Sequence, residues 1–156
     1  MRRLKTTIDK AKYIGSLTLL LALAFTLEAS PATAADMNAL HARLSPMPVT
    51  FLTVNTITGE GRVNASLEGN ILTLSGEFKG MSSKATSAHI HKGPKAQPGP
   101  VAFSLELSDL NDGSGRLNAQ VSISEDLIDA LHAEGLYIQI HSEDNPSGEL
   151  RGWLLH

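Results

Sequence analysis

Gly61-Arg62-Val63-Asn64-Ala65-Ser66-Leu67-Glu68-Gly69-Asn70-Ile71-Leu72-Thr73-Leu74 is the stretch that decides the fold class. Val63, Ala65 and Leu67 alternate with Arg62, Asn64 and Ser66, the period of two of a strand buried on one face. Gly69-Asn70 is a two-residue turn signal, so the chain reverses there into an antiparallel partner. Leu72, Leu74 and Phe78 take the inward face of that partner, and Gly76 between them is expected to mark a bulge.

The same pattern recurs on either side. Residues 40–44 read as a short first strand, and Met47-Pro48 as a loop, since proline has no place in a central strand. Beyond the hairpin, Val101, Phe103, Leu105 and Leu107 alternate with Ala102, Ser104 and Glu106. Asn111-Asp112-Gly113-Ser114-Gly115 is a turn, and residues 117–123 make a further strand. One helix interrupts. Ser124 is its expected N-cap, Ile123 and Ile128 a staple across the first turn, and Glu125 and Asp126 suit the positive end of the dipole. Leu127, Ile128 and Leu131 form its apolar face, and Gly135 is the expected stop. Leu136, Ile138 and Ile140 then face inward from a late strand, with Tyr137, Gln139 and His141 on its other face. Residues 148–155 form the last strand, with Trp153 expected to bury against a sheet or its edge.

The N-terminus belongs to a different class of segment. Arg2, Arg3, Lys5, Lys10 and Lys12 precede an apolar run over residues 17–27, too short to span a bilayer, and Ala32-Thr33-Ala34 offers the small residues of a cleavage site. Residues 1–34 are read as a secretory signal peptide and residues 35–156 as the mature domain, periplasmic or secreted, with no membrane span once the signal is removed. Setting aside the signal's five cations and two anions from the 13 and 16 of the whole chain leaves 8 Lys and Arg against 14 Asp and Glu, a formal charge of −6. An acidic domain is unsuited to nucleic acid. The chain has no cysteine, which excludes disulfides, thiolate metal sites and thiol nucleophiles.

The chemistry sits on histidines. His89 and His91 flank Ile90 in a strand, so both imidazoles point to one face. His141 ends another strand about fifty residues later. Three imidazoles from two strands form a plausible transition-metal set. The affinity order favours copper among the divalent ions, and zinc also suits three neutral imidazoles with an open fourth position. Glu143, Asp144 or Glu149 is expected to fix the tautomer of a ligating ring. The alternative is that the paired histidines anchor Gly/Pro loops through backbone carbonyls. Glu149 and Arg151 would then form an ion pair on one strand face. Asp144-Asn145 lacks the spacing of a calcium loop and reads as a solvated turn. His132 lies off the apolar face of the helix and reads as a surface or packing residue.

His89-Ile90-His91-Lys92-Gly93-Pro94 and Tyr137-Ile138-Gln139-Ile140-His141-Ser142-Glu143-Asp144-Asn145-Pro146-Ser147-Gly148-Glu149-Leu150-Arg151-Gly152 together resemble the CHRD domain. The resemblance covers essentially the whole mature chain and implies an exported all-β module without a fixed biochemical activity. A weaker resemblance is to copper/zinc superoxide dismutase. It implies His89, His91 and His141 as copper ligands and Arg151 as the residue that guides an anion. No histidine matches the one bridging copper and zinc in that family, and its zinc cluster and cysteines have no counterpart.

These readings converge on an all-β, Greek-key β-sandwich, immunoglobulin-like or superoxide-dismutase-like, of about seven or eight strands with one short helix. The leading function is metal holding or handling through His89, His91 and His141, with copper as the expected ion. A protein-interaction module serving another exported protein, with structural histidines, is the alternative. A copper-only dismutase-like enzyme using Arg151 is the second alternative.

Overall fold

The computed structural model describes residues 38–156. The expected signal peptide over residues 1–34 lies outside the described residues. Eight strands and one helix follow in the order β1 (Ala39–Pro46), β2 (Glu60–Glu68), β3 (Ile71–Lys79), β4 (Ala85–Lys92), β5 (Val101–Asn111), β6 (Ser114–Ser122), α1 (Glu125–His132), β7 (Leu136–Ser142) and β8 (Leu150–Trp153). The decisive hairpin is present: β2 pairs with β3 from Glu60↔Lys79 to Glu68↔Ile71, and Gly69 supplies the left-handed turn residue, with φ of 61°.

The strands are hydrogen-bonded in the order β1-β2-β3-β6-β5-β4-β7-β8 and close into a barrel. This corrects the sandwich expected from the sequence. Closure rests on two strands that change partner along their length. β1 pairs with β2 over Ala39–Leu44 and with β8 at Ser45 and Pro46. β5 pairs with β4 over its first residues and with β6 from Glu106 onward. Apolar alternation reports which face of a strand is buried, not which neighbour it pairs with, so sandwich and barrel read alike in sequence. Among the described residues, closure leaves no open sheet edge to pair with another chain.

Inside the barrel, Leu40, Ala42 and Leu44 meet Val63, Ala65, Leu72, Leu74, Ile90, Leu117, Ile138, Ile140 and Leu150 in one core. α1 closes over it with Leu131, which is fully buried, while Leu127 and Ile128 pack partly against the same core. Among the described residues, the core and the paired strands lie between Ala39 and Leu155, within the segment that begins at Ala35.

Smaller expectations are corrected by local geometry. Gly76 pairs in register with Val63 and makes no bulge; a Cβ there would lie 2.5 Å from the Arg62 carbonyl oxygen, so the glycine serves a close approach. The irregularity falls at β4/β5, where Ile90 pairs with Phe103 but His91 with Val101. Ala102 is thereby left over, the pleat changes parity, and Val101 is 53% exposed instead of facing inward. Ser124 stands at the N-cap of α1 without a side-chain hydrogen bond. After the helix it is Glu134, with φ of 53°, that takes the left-handed conformation one residue before Gly135. The last strand ends at Trp153, two residues short of the expected limit, although Leu155 still bridges to His41.

Candidate metal centre

The outer face of β4 and β7 carries the three histidines. Ala88 and Ile90 point into the core, which sends His89 and His91 outward. Across the β4/β7 ladder His89 faces Gln139, His91 faces Tyr137 and Ser87 faces His141. Expected from sequence alone, the three imidazoles do come together: one ring nitrogen from each lies within 4.8 Å of the others. The ring centroids of His89 and His141 are 5.1 Å apart, and those of His89 and His91 6.0 Å, both pairs edge-on.

Each of two rings is oriented by a backbone carbonyl. His91 Nδ1 lies 2.9 Å from the Gly99 oxygen, and His141 Nδ1 lies 2.9 Å from the Pro146 oxygen. A carbonyl only accepts, so Nδ1 carries the proton in both rings and Nε2 presents a bare lone pair. Those two Nε2 atoms, with Nδ1 of His89, are buried and have no hydrogen-bond partner. Leaving a buried polar atom unpaired costs about 1–3 kcal/mol. Three such atoms converging on one point form a site that a shared electrophile would satisfy at once. Nitrogen–metal distances of about 2.0–2.1 Å at tetrahedral angles place ligand atoms about 3.4 Å apart, so binding needs the rings to turn toward one another.

The electrostatics favour the neutral form of His89 and of His141. Burial holds the His89 ring below its ordinary value of 6.5, with repulsion from His91 adding to the effect. Burial likewise lowers His141. The Pro146 carbonyl opposes that shift, and the neighbouring His89, His91 and Arg151 reinforce it. Neutral imidazole is the form that ligates a metal.

The expected carboxylate partners are not the ones used. Carbonyls of two loops orient the rings, and Glu149 does other work. It is 0% exposed and accepts hydrogen bonds from the backbone N–H of Thr58 (3.1 Å) and Ser82 (2.6 Å), from the Ser82 hydroxyl (3.0 Å) and from Asn145 Nδ2 (3.3 Å), as well as from the Ser142 hydroxyl. Burial alone would raise its pKa; the donors outweigh that and hold the carboxyl below its ordinary value. Asn145, expected in a solvated turn, is buried in the same network.

Arg151 does not pair with Glu149. Its Nε donates to Gln139 Oε1 at 2.5 Å, and its guanidinium lies over the Tyr137 ring, 4.7 Å from the centroid. The same outer face of β7 therefore carries a packed row in which Tyr137 also stacks on His91, with centroids 4.8 Å apart and planes 10° from parallel. The Tyr137 hydroxyl accepts from the Gly99 N–H at 3.0 Å, and Trp153 Nε1 donates to the Gly93 carbonyl at 3.1 Å. His132 is exposed, away from this cluster.

Sequence reasoning missed Tyr137, Gln139 and Gly99 as supports of the site. The parity of β7 places Tyr137, Gln139 and His141 on one face, and that was the signal available for two of them. Gly99 left none, because its role depends on the path of the 93–100 loop.

The family model for the CHRD domain matches residues 40–154. No curated protein and no solved structure matches the chain.

Proposed function

The chain belongs to the CHRD-domain family, and from that premise we propose that it is an exported module that holds a transition metal, copper before zinc, on His89, His91 and His141. The observation that carries this reading is the convergence of three buried, unpartnered ring nitrogens. Loop anchoring explains Nδ1 of His91 and of His141 and leaves their two Nε2 atoms and Nδ1 of His89 unexplained. A bound ion accounts for all of them. Imidazole donors suit copper and zinc alike, and copper leads by intrinsic affinity. Export follows from the basic and apolar N-terminal segment over residues 1–34.

Titration of the chain from Ala35 with Cu(I), Cu(II) and Zn(II) tests the proposal. One ion per chain is expected, with affinity falling at least about a hundredfold in His89→Ala and in His141→Ala. The two variants should remain folded, since neither ring lies in the core. Equal affinity in the variants and the parent would overturn the reading. Elemental analysis of the protein taken from its own compartment then identifies the ion.

A further inference from the structure

A cavity of about 600 Å³ lies on the arc of the barrel formed by β2, β3 and β6, across the strand order from the histidines on β4 and β7. Its volume is in the range of small-molecule sites. In charge it departs from the rest of the molecule. Arg43, Arg62, Lys79 and Arg116 line it, four of the eight cations in residues 35–156, against Glu60, Glu77 and Asp109, three of the fourteen acids. The cavity therefore carries +1, while the remaining four cations and eleven acids of that segment carry −7.

Strand register produces the cluster. Arg43 stands directly opposite Arg62, Arg62 opposite Glu77, and Glu77 opposite Arg116. All four are exposed, on the face of their strands turned away from the core. Two of the acids are already paired: Glu60 lies 3.4 Å from Lys79 Nζ, and Asp109 lies 3.7 Å from Arg116 Nε. Among the described residues no carboxylate oxygen comes within 4.0 Å of a nitrogen of the Arg43 or Arg62 guanidinium. Like charges directly opposite in a ladder destabilise a sheet. The Arg43–Arg62 pair therefore weakens the empty barrel, and an anion between the two reverses that effect.

We propose that this cavity binds a small oxyanion ligand, with a carboxylate or phosphate group held between Arg43 and Arg62. Guanidinium suits that role, because its planar fork donates two parallel hydrogen bonds to either group. The same two charges oppose a cationic ligand. The −7 on the rest of the segment opposes a long polyanion, which would extend beyond the cavity into a field of its own sign. A small anion confined to the cavity meets the arginines alone.

Calorimetric titration of the purified, metal-free protein with citrate and with inorganic phosphate, at fixed ionic strength, tests this. Saturable binding of one anion per chain is expected for at least one probe, citrate reporting a carboxylate ligand and phosphate a phosphorylated one. Arg43→Gln and Arg62→Gln should each weaken that binding at least about tenfold, the loss expected for one hydrogen-bonded charge. Lys84→Gln removes an equal charge outside the cavity and should leave binding unchanged. Without anion, Arg43→Gln should melt no lower than the parent, because it relieves the repulsion across the ladder. Failure of both probes to saturate the parent would overturn the proposal. So would unchanged binding in both arginine variants, or an equal loss in Lys84→Gln, which would make the binding a matter of net charge. The histidine ligands are untouched in all three variants, so the outcome is independent of the metal reading.

Discussion

At the scale of single residues, the proposed metal centre depends on atoms that are not ligands. Gly99 gives its carbonyl to His91 and its N–H to the Tyr137 hydroxyl. No side chain fits there: a Cβ on Gly99 would lie 1.8 Å from the Lys92 carbonyl oxygen. Gly99→Ala must displace the loop and with it the carbonyl that fixes the His91 tautomer. Metal affinity is expected to fall about 10–100-fold, the usual cost of losing a group that orients a ligand. Competition with a chelator of known affinity measures it, and unchanged affinity would show that His91 needs no such support. Conversely, Arg151→Lys keeps the charge but loses the planar contact with Tyr137 and the bond to Gln139. It is expected to lower the melting temperature with less effect on metal affinity than either histidine substitution.

At the scale of elements, the alternation in β2, β3 and β7 could be read directly, because each strand has one face in the core. The His89–His91 pair was legible for the same reason: a period of two fixes a common face. What the sequence concealed was pairing. The partner change within β1 and β5, the leftover Ala102 and the closure of β8 on β1 are long-range hydrogen-bond choices with no local signature. Glu149 was misread because a Glu two residues before an Arg suggests an ion pair. Its real partners come from segments near residues 58, 82 and 145. This buried carboxylate ties three loops to one end of the barrel, so Glu149→Gln is expected to cost about 2–4 kcal/mol, in the range for breaking a buried hydrogen-bonded network. Acid should act at the same point. The folded carboxyl binds a proton less readily than the unfolded one, whose ordinary value is 4.5. Its stabilising contribution is therefore full above that value and disappears as pH falls through the lower, folded value. Denaturant midpoints measured across that acid range should fall in the parent and fall less steeply in Glu149→Gln; parallel curves would remove Glu149 from the account.

At the scale of the whole molecule, the barrel keeps its core on the inside of β4 and β7 and its histidines on the outside, so metal binding and folding meet through the same two strands. An ion that binds only the folded chain stabilises it by RT ln(1 + [L]/Kd), about 2.7 kcal/mol at a free concentration one hundred times Kd. Melting temperature should therefore rise with added metal and keep rising with its concentration after the site is filled. The rise must also depend on pH, because protons compete for the same lone pairs. Burial holds His89 and His141 below 6.5 in the folded chain, whereas the unfolded rings protonate near that value. Without metal, these two rings contribute stability that is full above 6.5 and is lost as pH falls through their lower folded values. With metal, neutral His89 and His141 stay available to the ion below 6.5, and their part of the metal-induced shift collapses when pH passes their depressed values. Calorimetric scans from pH 7.5 downward, with and without the ion, should therefore show a shift that persists at pH 6.5 and vanishes in more acidic solution. A shift already lost at pH 6.5, or one that survives in His89→Ala, would place the ion somewhere other than on these three rings.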